Sequence, residues 1–224
     1  MLIGIFLTAS AFLPFTWRAK QTTIYAWLNV IALKYICGIN YEVSGRENIP
    51  DRACIIFSKH QSTWETFALQ LVFPTLTFIV KRELLWVPFF GWGLARMKPI
   101  AINRNAGRNA IRQVVTQGKQ RLKDGICIVI FPEGSRFKPG LKTDYKKGAG
   151  VLAAAADVPV IPVAHNAGEF WPKKQFIKRP GKIQLRIGPP LDTQDKSALE
   201  IVEAGRQWIE SELHTINPDI HPGP

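Results

Sequence analysis

Ala53-Cys54-Ile55-Ile56-Phe57-Ser58-Lys59-His60-Gln61-Ser62-Thr63-Trp64-Glu65 reads as a strand that runs into a loop and then into a helix. The apolar run Ala53 to Phe57, rich in β-branched and aromatic side chains, predicts a buried strand. His60 then emerges at a strand end, where α/β folds assemble their sites. Histidine is the side chain most often used as a general base near neutral pH, and Glu65 is near enough along the chain to hold its imidazole in one tautomer. On a regular helix, positions five apart lie about 140° around the axis, so the pair meets only if a turn intervenes. A helix beginning near Ser62 supplies that turn. Ser62-x-x-Glu65 also fits a capping box, with Ser62 as N-cap and Glu65 reaching back to its amide. Taken alone, the segment therefore admits both a catalytic pair and a loop histidine beside a helix cap.

Strand-like and helix-like segments alternate on either side of this stretch. Upstream, Tyr41-Glu42-Val43 and the turn Gly45 to Pro50 lead into the strand. Downstream come a helix near 63–72, an apolar strand at Leu76 to Val80, a short strand at Pro99 to Ile102, a helix from Ala106 ended by Asp124-Gly125, and the strand Ile126 to Phe131. An alanine-rich helix at Val151 to Ala156, strands at Val160 to Ala164 and Ile183 to Ile187, and an amphipathic helix from Ser197 to Leu213 complete the series. This alternation predicts an α/β fold with a mixed, largely parallel sheet flanked by helices. The aromatic segment Leu84 to Gly93 is expected in the core, where aromatic clusters are more often found than along a ligand path. Residues 41–216 are expected to form this domain, and the proline-rich stretch 217–224 a flexible tail.

Residues 1–40 differ in character, carrying only Arg18, Lys20 and Lys34 as charges up to Ile39. Two apolar stretches lie on either side of Pro14 and the Trp17 to Gln21 segment. The first, Met1 to Phe15, is shorter than the roughly 20 residues of a spanning helix, and Thr22 to Ile39 contains Asn29 and Lys34. Two short membrane-associating helices lying in the interface fit this pattern, with tryptophan, tyrosine and lysine at headgroup depth. A cleaved signal peptide at Ala9-Ser10-Ala11 fits less well because the basic start is missing. Ordinary buried helices are the other alternative.

The net charge of +12 is concentrated in the middle of the chain: residues 81–186 hold 21 Lys+Arg against 6 Asp+Glu, and residues 187–224 hold 2 against 7. That middle calls for an anionic partner. Without a helix-turn-helix, zinc-finger or aromatic RNA-binding signature, nucleic acid is disfavoured. An anionic membrane surface fits better beside an apolar N-terminus. The three cysteines give no disulfide framework. Cys54 and Cys127 read as small buried hydrophobes, and no metal-ligand spacing is present.

The strand Ile126 to Phe131 runs into Phe131-Pro132-Glu133-Gly134-Ser135-Arg136. Proline and glycine break the strand, glycine lets backbone amides approach an anion, and Arg136 can grip a phosphate through two parallel hydrogen bonds. Ile102-Asn103-Arg104-Asn105 places a second arginine just beyond a short strand. Arg104 and Arg136 can converge on one anionic headgroup, although each alone reads as a surface arginine.

Over residues 45–190 these segments, in this order, resemble the glycerolipid acyltransferase family. Its H-x4-D block is matched by His60 with Glu65 in place of aspartate, and its arginine block by Ile102-Asn103-Arg104. Its F-P-E-G-S-R block is present without change from Phe131 to Arg136, and its proline-containing strand is matched by Val160 to Ala164. Lys146-Lys147-Gly148-Ala149 is similar to the family's lysine and glycine segment after the third block.

The resemblance implies acyl transfer from a thioester, acyl-CoA or acyl-carrier protein, to the sn-2 hydroxyl of a lysophospholipid such as 1-acylglycerol 3-phosphate, giving phosphatidic acid. It implies no cofactor beyond that co-substrate, and in a bacterium a place at the cytoplasmic face of the inner membrane. His60 would be the general base and Glu65 its orienting carboxylate, with Arg104, Glu133, Gly134, Ser135 and Arg136 at the acceptor. Neither a G-x-S-x-G elbow nor a cysteine beside a histidine is present, so direct transfer is more economical than a covalent intermediate. Glutamate for aspartate leaves another lysolipid, such as lyso-ornithine lipid, open as acceptor. A noncatalytic lipid-binding protein of the membrane surface is the alternative of another class. His165 reads as a polar strand-end residue, and His214 and His221 carry no motif.

Overall fold

Ile55, Ile56 and Phe57 are all fully buried, so the strand they form is covered on both faces, as in a sheet sandwiched between helix layers. The computed structural model describes residues 8–9, 12–103 and 106–223. Among these residues seven strands form one sheet: β1 (Ile39–Ser44), β2 (Ile55–Ser58), β3 (Leu76–Lys81), β4 (Ile100–Ile102), β5 (Cys127–Ile130), β6 (Val160–His165) and β7 (Gly181–Ile187), ordered β1-β7-β6-β2-β5-β3-β4. All neighbours run parallel except β6 and β7, which are antiparallel. The fold is the expected α/β class with a mixed, largely parallel sheet.

Helix α1 (Phe15–Cys37) is followed by α2 (Trp64–Val72), α3 (Phe90–Ala95), α4 (Arg108–Lys123), α5 (Lys147–Ala155), α6 (Ala167–Phe170) and α7 (Ala198–Ile216). Alternation along the strands sorts the core into two layers. Ile56, Val129, Ile161 and Val163 pack with Leu33 of α1 and Trp64, Ala68 and Leu69 of α2. Ile55, Phe57, Ile128 and Ile130 pack with Val114 of α4, Leu152 of α5 and Ile201 and Ile209 of α7. The capping box expected near Ser62 is found instead at α7, where Ser197 and Glu200 exchange both bonds. Cys54 and Cys127 are buried free thiols with sulfurs 3.7 Å apart.

Several boundaries differ from the sequence reading. Helix α1 is one helix that begins at Phe15 directly after Pro14, and it absorbs the Trp17 to Gln21 segment taken as a separator. Pro14 precedes the first turn, where its missing N–H leaves nothing unsatisfied. The first apolar stretch lies mostly outside the described residues. Among the described residues no helix is long and apolar enough to cross a membrane. Helix α5 starts at Lys147, four residues ahead of its expected start. The aromatic segment expected in the core is on the surface: Trp86 is 66% exposed, and Phe89, Phe90 and Trp92 are also exposed. The closing stretch after α7, expected loose, is tied down through Asn217 and His221, which both donate to Glu169.

Candidate active site

Strands β2 and β5 are adjacent and parallel, with Phe57 opposite Ile130, so the loops that follow them leave the sheet side by side. The helices that follow them, α2 after β2 and α5 after β5, pack on opposite faces of the sheet, the arrangement at which α/β folds place their sites. One loop carries His60 and the other runs Phe131 to Arg136. The backbone joins them, since the Phe137 amide donates to the His60 carbonyl at 3.1 Å.

His60 Nδ1 lies 2.8 Å from Glu65 Oε1. A carboxylate only accepts, so Nδ1 carries the proton and Nε2 keeps a lone pair. The His60 ring stacks on Phe131 at 3.8 Å between centroids, which fixes the imidazole plane. Glu65 is fully buried at the start of α2. It also accepts from the Gln61 amide at 3.2 Å and the Ser62 amide at 3.0 and 3.1 Å. One carboxylate thus orients the histidine and satisfies amides of the loop before the helix. The Ser62 half of the proposed cap is not formed: Ser62 Oγ accepts from the Trp64 amide, and the N-cap position is Thr63.

Glu133 is turned inward and only 2% exposed. Its Oε1 takes the His60 amide at 3.3 Å and pairs with Lys59 Nζ at 3.3 Å, whereas Oε2 has no partner among the described residues. Burial pushes the Glu133 carboxyl up to about 7, against the opposing pull of Lys59. Lys59 Nζ also binds Glu210 of α7 at 2.7 Å, and Tyr145 donates to the same Glu210 oxygen. A buried ionic chain therefore runs from the terminal helix to the residue before His60.

On the opposite side of that residue, His165 is fully buried, and burial lowers its pKa. The Ala167 amide donates to its Nδ1, so the proton sits on Nε2 and goes to the Lys59 carbonyl at 2.9 Å. His165, read from sequence as a strand-end residue, thus holds the backbone that presents His60.

Gly134 has φ +74°, a left-handed conformation that glycine adopts without strain, and the Lys146 ammonium end lies against it. Ser135 is exposed. Arg136 is half-buried and donates to Thr63 Oγ1 at 2.7 Å, which places its guanidinium at the start of α2 beside the His60 loop. Arg104 follows β4 but lies outside the described residues. No cluster of potential metal ligands occurs among the described residues.

His60, Glu65, Glu133, Gly134 and Arg136 are thereby gathered at one edge of the sheet. Sequence reasoning missed Lys59, Thr63, Phe131, Tyr145 and Glu210 as supports. Their pairings, spanning 73 positions for Arg136 with Thr63 and 151 for Lys59 with Glu210, leave no local pattern to detect.

A family model described as Acyltransferase matches residues 40–166. The 1-acyl-sn-glycerol-3-phosphate acyltransferase of Pseudomonas aeruginosa is 41% identical, over 97% of this chain and 91% of that protein. The mouse 1-acyl-sn-glycerol-3-phosphate acyltransferase alpha is 32% identical over 75% of this chain and 60% of its own length. The crystal structure of the 1-acyl-sn-glycerophosphate acyltransferase from Thermotoga maritima superposes with a TM-score of 0.77 at 26% identity, covering 94% of this chain and 87% of that one.

Proposed function

The chain belongs to the acyltransferase family, and on that premise we propose that it transfers an acyl group from an acyl thioester to the sn-2 hydroxyl of 1-acyl-sn-glycerol 3-phosphate, forming phosphatidic acid. The observation that carries the mechanism is the 2.8 Å contact between His60 Nδ1 and the fully buried Glu65. His60 Nε2 takes the proton of the acceptor hydroxyl as its oxygen attacks the thioester carbonyl. Glu65 stabilises the imidazolium that forms. Collapse of the tetrahedral intermediate breaks the carbon–sulfur bond, and the histidine returns the proton to the leaving thiolate.

Arg136, held at the mouth of the loop by Thr63, binds the acceptor phosphate together with Arg104. Gly134 gives the loop its turn, and Ser135 stands at its exposed tip. Glu133 acts from below as a positioning residue, through the His60 amide and Lys59. Acyl-CoA and acyl-carrier protein both present the required thioester.

Helix α1 supports work at a membrane surface. Its apolar side chains are not confined to one face, and only Ala26, Val30 and Leu33 are buried, while Trp17, Ile24, Trp27, Leu28, Tyr35 and Ile36 are exposed. The proposed location is the membrane interface, on the cytoplasmic side in a bacterium.

Detergent-solubilised protein given an acyl thioester and a panel of lysolipids tests this reading, with thiol release and product lipid followed together. Stoichiometric thiol and phosphatidic acid are expected with 1-acylglycerol 3-phosphate. Thiol release without an acceptor would instead identify a thioesterase. Arg136→Ala should chiefly weaken phosphate-bearing acceptors, and an equal loss with a neutral acceptor contradicts the phosphate role.

A further inference from the structure

Between α6 and β7 the chain makes a surface loop, Trp171-Pro172-Lys173-Lys174-Gln175-Phe176-Ile177-Lys178-Arg179-Pro180. Phe176 is 92% exposed and Ile177 is 77% exposed, adjacent in sequence and flanked by four cations. Two bulky apolar side chains held in water between basic residues are unfavourable unless something apolar and anionic receives them.

The base of the loop is fixed, because the Arg179 amide donates to the Phe170 carbonyl at 2.8 Å and Pro180 abuts Gly38 at the end of α1. Trp171 and Lys178 share an open groove of about 200 Å³ with Ile36 and Cys37, so the loop adjoins the exposed end of α1. Lys178 Nζ lies 4.6 Å from the Trp171 ring centroid and 5.1 Å from that of Phe176, which braces the apolar tip beside a charge. Finally, Lys173 Nζ donates to the Arg136 carbonyl at 2.8 Å, a direct link to the acceptor loop.

We infer that this loop is a membrane-contact element separate from α1, which inserts Phe176 and Ile177 into an anionic lipid surface and, through Lys173, braces the backbone of Arg136. The role of Arg136 rests on the lipid acceptor proposed above. Contact with the bilayer itself does not. Lys178 also donates to the Phe176 carbonyl at 2.7 Å, so the exposed Lys174 and Arg179 are the cations that meet lipid phosphates, at headgroup depth when the two apolar tips are buried. Docking then couples the lipid surface to the arginine that receives a substrate drawn from it.

Ile177→Cys in a Cys37→Ser background, labelled with a polarity-sensitive dye, tests the insertion, since Cys54 and Cys127 are buried. Emission should shift to the blue on mixing with phosphatidylglycerol-containing vesicles and much less with pure phosphatidylcholine. Absence of a shift overturns the proposal, whether or not the protein sediments with the vesicles. Phe176→Ser with Ile177→Ser should lower kcat/KM about tenfold for acceptor presented in anionic vesicles while leaving a monomeric short-chain acceptor within about twofold. Equal losses in both formats refute the coupling. Failure of the enzymatic reading appears differently, as no product from the unaltered protein in either format with the dye shift intact.

Discussion

At His60 the proton on Nδ1 is held by a carboxylate that also receives two backbone amides. Replacing His60 by Ala should lower kcat by roughly 10²- to 10⁴-fold, and a loss below about tenfold in the acyl-transfer assay would remove it as general base. Glu65→Gln presents an amide where the site needs only acceptors, so it should lower kcat by a comparable factor of about 10² or more. Little change in kcat after that substitution would show that the carboxylate serves only the helix start. Glu133 has a pH signature. Its carboxyl is raised from 4.5 to about 7, so between these values the folded protein keeps a proton that the unfolded chain releases. Its stabilising contribution is therefore complete below about 4.5 and is lost as pH rises through about 7. Glu133→Gln should flatten that dependence, read as a smaller change in urea midpoint between about pH 5 and pH 7.5. The glutamate at position 65 was visible in sequence, but its contacts were not: one carboxylate meets the imidazole and two amides at once.

Element boundaries were clear where a pattern was strong and lost where tertiary contact overrode it. The strand into His60 and the strand into Phe131 were legible because buried parallel strands are continuous apolar runs. Helix α5 was placed too late because Gly148 and Gly150 weaken the local helical signal. Gly150 is needed there because an added methyl would collide with the Ala198 carbonyl oxygen at the start of α7. Gly150→Ala should therefore destabilise the protein by about 1–3 kcal/mol despite its better helix propensity. Urea unfolding checks this, and a stabilised variant would mean that the two helices separate readily. The segment Leu84 to Trp92 was misplaced for a related reason. Its aromatic content signals burial in something, but composition does not say whether protein or lipid covers it.

For the whole molecule, charge and exposed apolar surface act together. A chain of net charge +12 with uncovered aromatics along α1 should bind anionic vesicles by both routes. Raising salt from about 0.1 M to 1 M shortens the Debye length from about 10 Å to about 3 Å, so co-sedimentation with phosphatidylglycerol vesicles should fall sharply. Trp17→Ser with Trp27→Ser should weaken binding at either salt concentration. Binding that ignores salt would assign the attachment to apolar insertion alone.

The order of strands and helices, the histidine–glutamate spacing and the intact Phe131 to Arg136 block are local facts, so the linear chain by itself determined the fold class and the family. Hydrogen bonds across the sheet edge, the inward turn of Glu133, the buried Lys59–Glu210 tether and the seating of His165 beneath the His60 loop were decided only by tertiary structure. These contacts join residues tens to more than a hundred positions apart, and their energies depend on burial that no short window contains.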